Sequence, residues 1–213
     1  MKNLKKNVAL AVGGTLLLLL NGCKNNDAEP TALPIREHSI VAESIIAPGG
    51  SQSTTNKCFL NLYDGLAYTK SEAEANSSKV DFAYNYRGGG CNTCRFFENV
   101  KNMSTRTGYV SSFSTITDSR IANVEQYDGI TPDRFEQIKN AKDIDDLFAE
   151  KKIQDNAHGH GDITNRTTDV AVGRVFAFID KSGKKGFFRI SDYVANVPTG
   201  DKATLTLSVK VQE

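Results

Sequence analysis

Three cysteines in the interior of the chain could form disulfides or carry redox chemistry. Cys91 and Cys94 have the C-x-x-C spacing of thiol oxidoreductases, and Cys58 lies upstream of them. In those enzymes the first cysteine opens a helix directly after a strand, which lowers the pKa of its thiol. Here three glycines at 88–90 precede Cys91, and no clear helical pattern follows Cys94. We therefore interpret all three cysteines as disulfide candidates, with thiol oxidoreductase chemistry at Cys91 and Cys94 as an alternative.

A second cluster, His158, His160 and Asp162, could bind a metal ion. In an extended segment, residues i and i+2 point to the same side, so the two imidazoles could chelate Zn²⁺ or Cu²⁺ with the carboxylate nearby. The glycines at 159 and 161 equally fit an exposed, solvated turn. Both interpretations stay open. A third histidine, His38, is expected to be exposed.

A fourth cysteine, Cys23, follows a segment that is typical of an export signal. Basic residues at positions 2, 5 and 6 precede a thirteen-residue apolar run at 8–20. That run is too short to span a bilayer and has the length of a signal-peptide core. The sequence Leu20-Asn21-Gly22-Cys23 resembles the bacterial lipobox. The resemblance implies cleavage before Cys23, diacylglycerol on its sulfur, and acylation of the new amino terminus.

The net charge of the mature protein and the position of Cys23 indicate which partners to expect. The leader contains three lysines and no acid, so a chain of net charge +1 would leave a mature protein of about −2. A near-neutral protein has no electrostatic drive toward nucleic acid. The expected partner is the lipid bilayer, reached through Cys23. Lys24 stands where an aspartate retains enteric lipoproteins in the inner membrane, so we expect the outer membrane.

The pattern of residues predicts three regions: a signal peptide at 1–22, a flexible tether at 23–57, and one folded domain at 58–213. The tether is rich in Asn, Ser, Thr, Pro and Gly, although residues 39–46 could add a strand. In the domain, residues 58–69 predict a hairpin around Asp64-Gly65. Thr69 and Glu72 predict a capping box that starts a helix. Residues 80–86 alternate and predict a half-buried strand.

The rest of the chain predicts more strands and short helices. We expect a strand near 109–113, a helix that begins at Thr131-Pro132, and a second helical segment that contains Ile144, Leu147 and Phe148. Strands at 170–180, 187–194 and 203–211 predict a C-terminal three-strand meander. The predicted fold class is therefore α+β, with an antiparallel sheet and two or three short helices.

Several of these segments carry a family resemblance. The segments Tyr-Thr-x-Ser-Glu-Ala at 68–73, Val-Asp-Phe-Ala-Tyr at 80–84, Lys-Ser-Gly-Lys-Lys-Gly-Phe-Phe-Arg-Ile at 181–190 and Leu-Ser-Val-Lys-Val-Gln at 207–212 resemble those of a group of Bacteroidota lipoproteins with no established activity. The apolar-Asp-apolar-Ala strand and the late Phe-x-Arg hairpin are similar to those of the β-rich haem-binding lipoproteins of that phylum. The second resemblance adds haem to zinc as a candidate cofactor.

These observations predict a non-enzymatic lipoprotein that binds a ligand or a partner. Metal or haem binding through His158, His160 and the cysteines is one alternative. Thiol oxidoreductase activity is another.

Overall fold

The computed structural model describes residues 32–45, 52–86, 95–106, 108–123, 130–150, 171–195 and 203–213. These residues belong to one compact unit, Ala32–Glu213. Within them, no helix combines the length and the apolar character that crossing a membrane requires. In chain order, the elements are β1 (Ile35–Glu43), β2 (Phe59–Asn61), β3 (Leu66–Tyr68), α1 (Lys70–Ala75), β4 (Phe82–Tyr86), β5 (Arg95–Asn99), α2 (Val100–Arg106), β6 (Arg120–Asn123), α3 (Pro132–Gln137), α4 (Ala141–Glu150), β7 (Val175–Ile179), β8 (Lys185–Ala195) and β9 (Ala203–Gln212).

The strands form two antiparallel sheets, which confirms the predicted α+β class. The five-stranded sheet has the order β1-β9-β8-β7-β6, and the four-stranded sheet has the order β3-β2-β4-β5. The C-terminal meander is confirmed as β7, β8 and β9, although β7 begins only at Val175. The turn between β7 and β8 is closed by Gly183, whose φ of 87° favours glycine.

Local signals placed the hairpin and the helix starts correctly. Residues 59–68 form the β2–β3 hairpin, with Gly65 at a φ of 69° in its turn. Thr69 and Glu72 form the expected capping box of α1, and Thr131 caps α3 ahead of Pro132. The helical segment with Ile144, Leu147 and Phe148 is α4, and these three side chains are buried. The short helices are therefore positioned by caps and by one apolar side each.

The first strand lies earlier in the chain than we expected. The strand predicted at 39–46 is Ile35–Glu43, and it pairs with β9 along its whole length. The ordered domain therefore includes part of the segment that we assigned to the tether. The alternation explains the shift, because Ile40 and Ala42 point into the core while Ser39 and Val41 are exposed.

Aromatic side chains fill the space between the two sheets. Phe97 of the four-stranded sheet packs edge-on against Phe188 of the five-stranded sheet, with ring centroids 5.0 Å apart. Phe176 lies 5.0 Å from Phe188, and Tyr84 lies 5.5 Å from Phe97. Full burial of such side chains contributes about 1.5–3 kcal/mol each. This layer joins the two sheets.

Strand β4 is buried on both faces, so the prediction of a half-buried strand was wrong. Phe82 and Tyr84 face the five-stranded sheet. Ala83 faces the opposite side, where it packs with Val100 and Met103 of α2. We expected this face to be in water because its residues are small or polar, but helix α2 covers it.

The strand predicted at 109–113 was also wrong. These residues form turns, with hydrogen bonds from Ser111 N to Gly108 O and from Phe113 N to Val110 O. Tyr109 and Phe113 are nevertheless buried against Phe59, at centroid distances of 5.9 and 5.3 Å. Tyr109, Val110 and Phe113 are apolar because the turns bury them, and such a short apolar segment has the same sequence pattern as a strand.

Helices α3 and α4 cover one part of the outer face of the five-stranded sheet. Phe135 of α3 and Phe148 of α4 pack with Ala177 and Phe187, which point away from the four-stranded sheet. The ring centroids of Phe148 and Phe187 are 5.1 Å apart. The five-stranded sheet is therefore the central layer, with the four-stranded sheet on one side and two helices on the other.

A β-bulge interrupts the pairing of β8 with β9. Ile190 pairs with Leu207 and Asp192 with Thr206, so Ser191 is the extra residue. Arg189 before the bulge and Asp192 after it lie on the same face, because their partners Ser208 and Thr206 do. Tyr193 consequently returns to the core side, opposite Leu205.

We predict that Gly186→Ala destabilises the protein. A Cβ at this position would lie 2.6 Å from Phe178 Cε1 and 2.7 Å from the Lys210 carbonyl oxygen. Because a backbone atom cannot move aside cheaply, we expect the free energy of unfolding to fall by about 1–3 kcal/mol. Urea denaturation measures this change. Gly108→Ala is the control, since nothing lies within 4 Å of a Cβ there and its cost comes from a φ of 65° alone. A loss well below about 1 kcal/mol for Gly186→Ala would contradict the steric account.

Candidate functional site

Six of the seven residues that the sequence singled out lie outside the described part of the chain. They are the lipidation candidate Cys23, the cysteines Cys91 and Cys94, and the metal candidates His158, His160 and Asp162. Lipidation, disulfide pairing, metal or haem binding and thiol chemistry therefore stay predictions. Among the residues that the structure does describe, no group of three or more His, Cys, Asp or Glu side chains is arranged to hold a metal ion.

Cys58 is the predicted site residue that the structure places. Its side chain is fully buried at the start of the β2–β3 hairpin beside Phe59 and Val80, and the described residues contain no other cysteine that could pair with it. Burial away from water, together with a smaller contribution from the nearby Glu43 carboxylate, raises the pKa of the Cys58 thiol to about 12. A thiol in this environment is a poor nucleophile, because the thiolate is the reactive form.

His38 is not the exposed tether residue that we expected. It lies on β1, half-buried, with its Nε2 3.0 Å from the Tyr63 carbonyl oxygen in the hairpin turn. A Cβ at Gly65 would lie 2.6 Å from the His38 ring, so the close approach requires glycine at that turn position. Arg36 adds a second contact from β1, since its guanidinium stacks 4.3 Å from the Tyr63 ring centroid. His38 therefore helps to join β1 to the hairpin.

Asp81 is a fully buried carboxylate that sequence reasoning missed. Its side chain is fully buried just before β4. Oδ2 accepts a hydrogen bond from Leu62 N at 2.9 Å, and Oδ1 accepts one from Ser119 Oγ at 2.7 Å. The Lys181 ammonium lies 3.6 Å from Oδ1. One carboxylate thus connects the hairpin, the segment before β6 and the turn after β7.

Burial governs the protonation of Asp81. Desolvation raises the pKa of its carboxyl, while Lys181 and the hydrogen bonds from Ser119 and Leu62 lower it in part. Such a group is costly to bury, but removing it would leave its donors without an acceptor. Both carboxylate oxygens of Asp81 have donors in this network, and the network joins the two sheets at this end.

A second polar cluster lies on the outer face of the five-stranded sheet. Lys210 of β9 is buried, and its Nζ donates to the Ile138 carbonyl oxygen at 2.9 Å. Arg189 of β8 forms an ion pair with Glu136, with 2.9 Å between Nη1 and Oε1. The Lys210 ammonium and the Arg189 guanidinium each lie 5.3 Å from the centroid of the Phe135 ring. These contacts position α3 on the sheet.

A cavity of about 220 Å³ opens beside this cluster, lined by Glu37, His38, Phe135, Glu136, Ser208, Val209 and Lys210. Strand alternation puts the His38 and Val209 side chains on the opposite face, so their backbone forms the floor. The side chains of Lys210, Ser208, Glu37 and Glu136 therefore surround the opening, with Glu37 Oε1 3.7 Å from Lys210 Nζ. Both signs of charge and a hydroxyl meet in one small cavity.

A second cavity, of about 280 Å³, lies between α3 and α4 and includes Asp143 and Asp146 in its lining. These carboxylates are already bound to groups of α4 and of the residues just before it. Asp143 accepts hydrogen bonds from Lys139 N and Asn140 N, and Asp146 pairs with Lys142. The cavity beside Lys210 is the better candidate site, because two strands and a helix contribute its polar groups.

The sequence contained a partial signal for these residues. Asp81 and Lys210 both occupy the polar positions of alternating strands, and we assigned such positions to solvent. A lone acid or lysine in a strand that helices or loops later cover gives the same pattern as one in water. Only the long-range packing distinguishes the two.

Comparison with known proteins adds no family. No protein family, no curated protein and no solved structure matches this chain. The functional argument therefore depends on the chemistry of its own residues.

We predict that Asp81→Ala lowers the free energy of unfolding by about 1–3 kcal/mol, because Leu62 N and Ser119 Oγ lose their acceptor. Asp81→Asn should cost less, since an amide can still accept from one donor and donate to the serine. The exposed Asp133→Asn is the control.

The wild type and Asp81→Asn together test the direction in which folding shifts the pKa of Asp81. A pKa raised on folding stabilises the native state at low pH, and this contribution is lost as the pH rises above about 4 and through the folded-state pKa. The wild type should therefore lose stability relative to Asp81→Asn as the pH rises. Urea denaturation at a series of pH values measures the difference. If the wild type instead gained stability relative to Asp81→Asn as the pH rises, the folded state would favour the ionised Asp81 carboxylate, and the predicted direction would be wrong.

Proposed function

We propose that the mature chain is a lipoprotein of the cell envelope, anchored through acylated Cys23, that binds a small polar ligand without transforming it. The observation that carries the anchoring is Leu20-Asn21-Gly22-Cys23 directly after the thirteen-residue apolar run. Two or three acyl chains on one residue hold a protein on a bilayer stably, whereas one does so only marginally. Lys24 favours the outer membrane.

The cavity beside Lys210 supports a binding role for the folded domain. Its volume of about 220 Å³ is below the 300–1,000 Å³ that drug-sized ligands usually occupy, so the ligand would be small. Its polar groups come from β1, β9 and α3, and rigid elements hold binding groups more accurately than loops do.

The charges of the cavity suggest the chemistry of the ligand. The Lys210 ammonium is buried and already donates to the Ile138 carbonyl oxygen, whereas the Glu37 and Glu136 carboxylates are exposed and Ser208 can donate or accept a hydrogen bond. A small molecule with an ammonium group could pair with these carboxylates. Free amino acids, which carry such a group, are therefore the first probes to use.

We predict that Cys23 is lipidated in a bacterial host that processes lipoproteins. The amino-terminal peptide of protein purified from membranes should begin at residue 23 and carry the mass of a diacylglyceryl group plus an acyl chain. Cys23→Ser should remove both the modification and the cleavage before residue 23. Mass spectrometry and membrane fractionation measure these outcomes. An unmodified Cys23 in membrane-derived protein would contradict the anchor.

We predict that an amino acid stabilises the protein by binding beside Lys210. At a concentration about 100-fold above its Kd, a ligand adds about 2.7 kcal/mol to the free energy of unfolding. For a domain of this size, that raises Tm by roughly 5–10 °C. Thermal unfolding with each of the common amino acids measures the shift.

Two serine variants show whether such a ligand uses this cavity. Ser208→Phe places a ring in the cavity and should abolish the shift. Ser71→Phe makes the same change at an exposed position on α1 and should preserve it. If no amino acid shifts Tm, or if Ser208→Phe leaves the shift unchanged, this ligand site is wrong.

A further inference from the structure

One side of β1 has no strand beside it within the described residues. β1 is an outer strand of the five-stranded sheet, and it pairs with β9 from Ile35 to Glu43 without a shift of register. In an antiparallel pair, alternate residues turn their N–H and C=O groups toward the partner strand, and the others turn them away. The hydrogen bond from Ser44 N to Ala203 O, at 2.9 Å, shows that the even-numbered residues face β9. The odd-numbered residues of β1 therefore face away from it.

Most of these odd-numbered residues keep backbone groups that no described residue bonds. The exception is Glu43, whose N–H donates to the Lys57 carbonyl oxygen at 3.0 Å, so that the segment before β2 lies beside it. The N–H groups of Ser39 and Val41 have no such partner in the described part of the chain, and both side chains are exposed. We call this side of residues 35–41 the open edge.

The open edge lacks the features that usually prevent strand addition. It contains no proline and no lysine, and its pairing with β9 has no bulge. Its charged side chains are paired within the chain, since Glu37 Oε1 lies 3.7 Å from Lys210 Nζ and Arg36 Nη1 lies 3.6 Å from Asp64 Oδ1. The Val41 side chain, in contrast, is 55% exposed. A partner would therefore be recognised by backbone hydrogen bonds and apolar contact, not by charge.

The two ends of the open edge limit what can bind there. Lys57 lies beside Glu43 at one end, and at the other end the Leu33 carbonyl oxygen accepts a hydrogen bond from Ala141 N at 2.9 Å. A second copy that paired its own β1 antiparallel here would bring the residues beyond one end of its open edge against Lys57 of the first copy. A separate extended peptide of about seven residues fits between the two ends.

The side chains on the two faces of β1 indicate which residues the peptide needs. On the inner face, the contacts of His38 and Arg36 with Tyr63 hold the hairpin turn beside the strand, so peptide side chains that point there should be small. On the outer face, a β-branched side chain opposite Val41 would cover it. The structure thus favours an uncharged segment in which β-branched residues alternate with small ones.

We propose that the open edge of β1 binds an extended, uncharged segment of another protein as an added antiparallel strand. In this mode of recognition, main-chain hydrogen bonds supply the affinity and alternate side chains supply the specificity. The inference depends neither on the anchor at Cys23 nor on a ligand beside Lys210. It assigns a protein partner to the folded domain.

The probe is a capped, fluorophore-labelled peptide, Val-Ser-Thr-Ser-Thr-Ser-Val. Its first valine would lie opposite Val41, and its two threonines opposite Ser39 and Glu37. The mature chain with Cys23→Ser, which removes the acyl chains, is titrated into the peptide, and fluorescence anisotropy gives the Kd. We expect saturable binding with a Kd below about 1 mM.

Two methylated peptides show whether the backbone of the probe is what binds. N-methylation of both threonines removes the N–H groups that would face β1, so binding should weaken about 25-fold, from about fivefold for each hydrogen bond lost. N-methylation of the second and third serines makes the same chemical change on N–H groups that would face away from β1. That peptide should bind with nearly the same Kd as the probe.

Two variants at one position show whether the open edge is the site. Ser39→Pro removes a donor and places the proline ring where the peptide would lie, so it should abolish binding. The fold should tolerate this change, because proline occurs on edge strands where its nitrogen faces solvent. Ser39→Thr keeps the N–H group and should preserve the Kd. Thermal unfolding of each variant confirms that it is folded.

Three outcomes would overturn the proposal: no saturable binding of the probe, equal losses for the two methylated peptides, or binding that Ser39→Pro leaves unchanged. A dimer in sedimentation equilibrium that Ser39→Pro abolishes, with no binding of the probe, would assign the open edge to a second copy instead. If Ser39→Pro does not fold, the two methylated peptides decide the question on the protein with its natural Ser39.

Discussion

The rest of the fold depends on one constraint: the five-stranded sheet has apolar side chains on both faces, so both faces must be covered. The contact between Phe97 and Phe188 is part of one of those covers. β8 shows this most clearly, because Phe188 points into the layer between the sheets while its neighbour Phe187 points toward α3 and α4. A strand with bulky aromatic residues on both faces is stable only as the middle layer of three. The four-stranded sheet provides one of those covers, and helices α3 and α4 provide the other.

That constraint brings polar side chains into places where water does not reach. Asp81 and Lys210 occupy alternating positions that would be solvated in a two-layer protein. Each has found partners at the boundary of a layer, Asp81 among three connecting segments and Lys210 at the carbonyl end of α3. Buried charges of this kind contribute little net stability, but they penalise any other arrangement of the layers, because a misplaced layer would leave them unpaired.

Sequence reasoning succeeded where the interactions join residues that are close in the chain, and it failed where they join distant ones. The Asp64-Gly65 turn, the Thr69 capping box and the Thr131-Pro132 helix start depend on residues within four positions of one another, and all three were predicted correctly. The last strand of the meander followed from the alternation at 203–211. The register of β1 against β9, however, joins residues about 170 positions apart, and its position was missed by several residues. The failure at 109–113 has the same origin, since those side chains are buried by Phe59.

The candidate site was harder to predict than the fold. The cysteine and histidine motifs stood out because their spacing is local, whereas the cavity beside Lys210 is assembled from β1, α3 and β9. No short motif records such an assembly. Glu37 and Lys210 meet only because the register pairs them, and Glu136 joins them only because Phe135 anchors its helix on the sheet.

The bulge at Ser191 decides which face the end of β8 presents. If Ser191 took a regular place opposite Thr206, every later residue would move one position along β9, so that Asp192 would face the aromatic layer and Tyr193 would face water. Deleting Ser191, by contrast, would make Ile190 and Asp192 ordinary neighbours opposite Leu207 and Thr206, which keeps both faces as they are and removes only the extra twist. An insertion later in β8 would turn the residues after it to the opposite face, so related chains are expected to lose the extra residue more readily than to gain another.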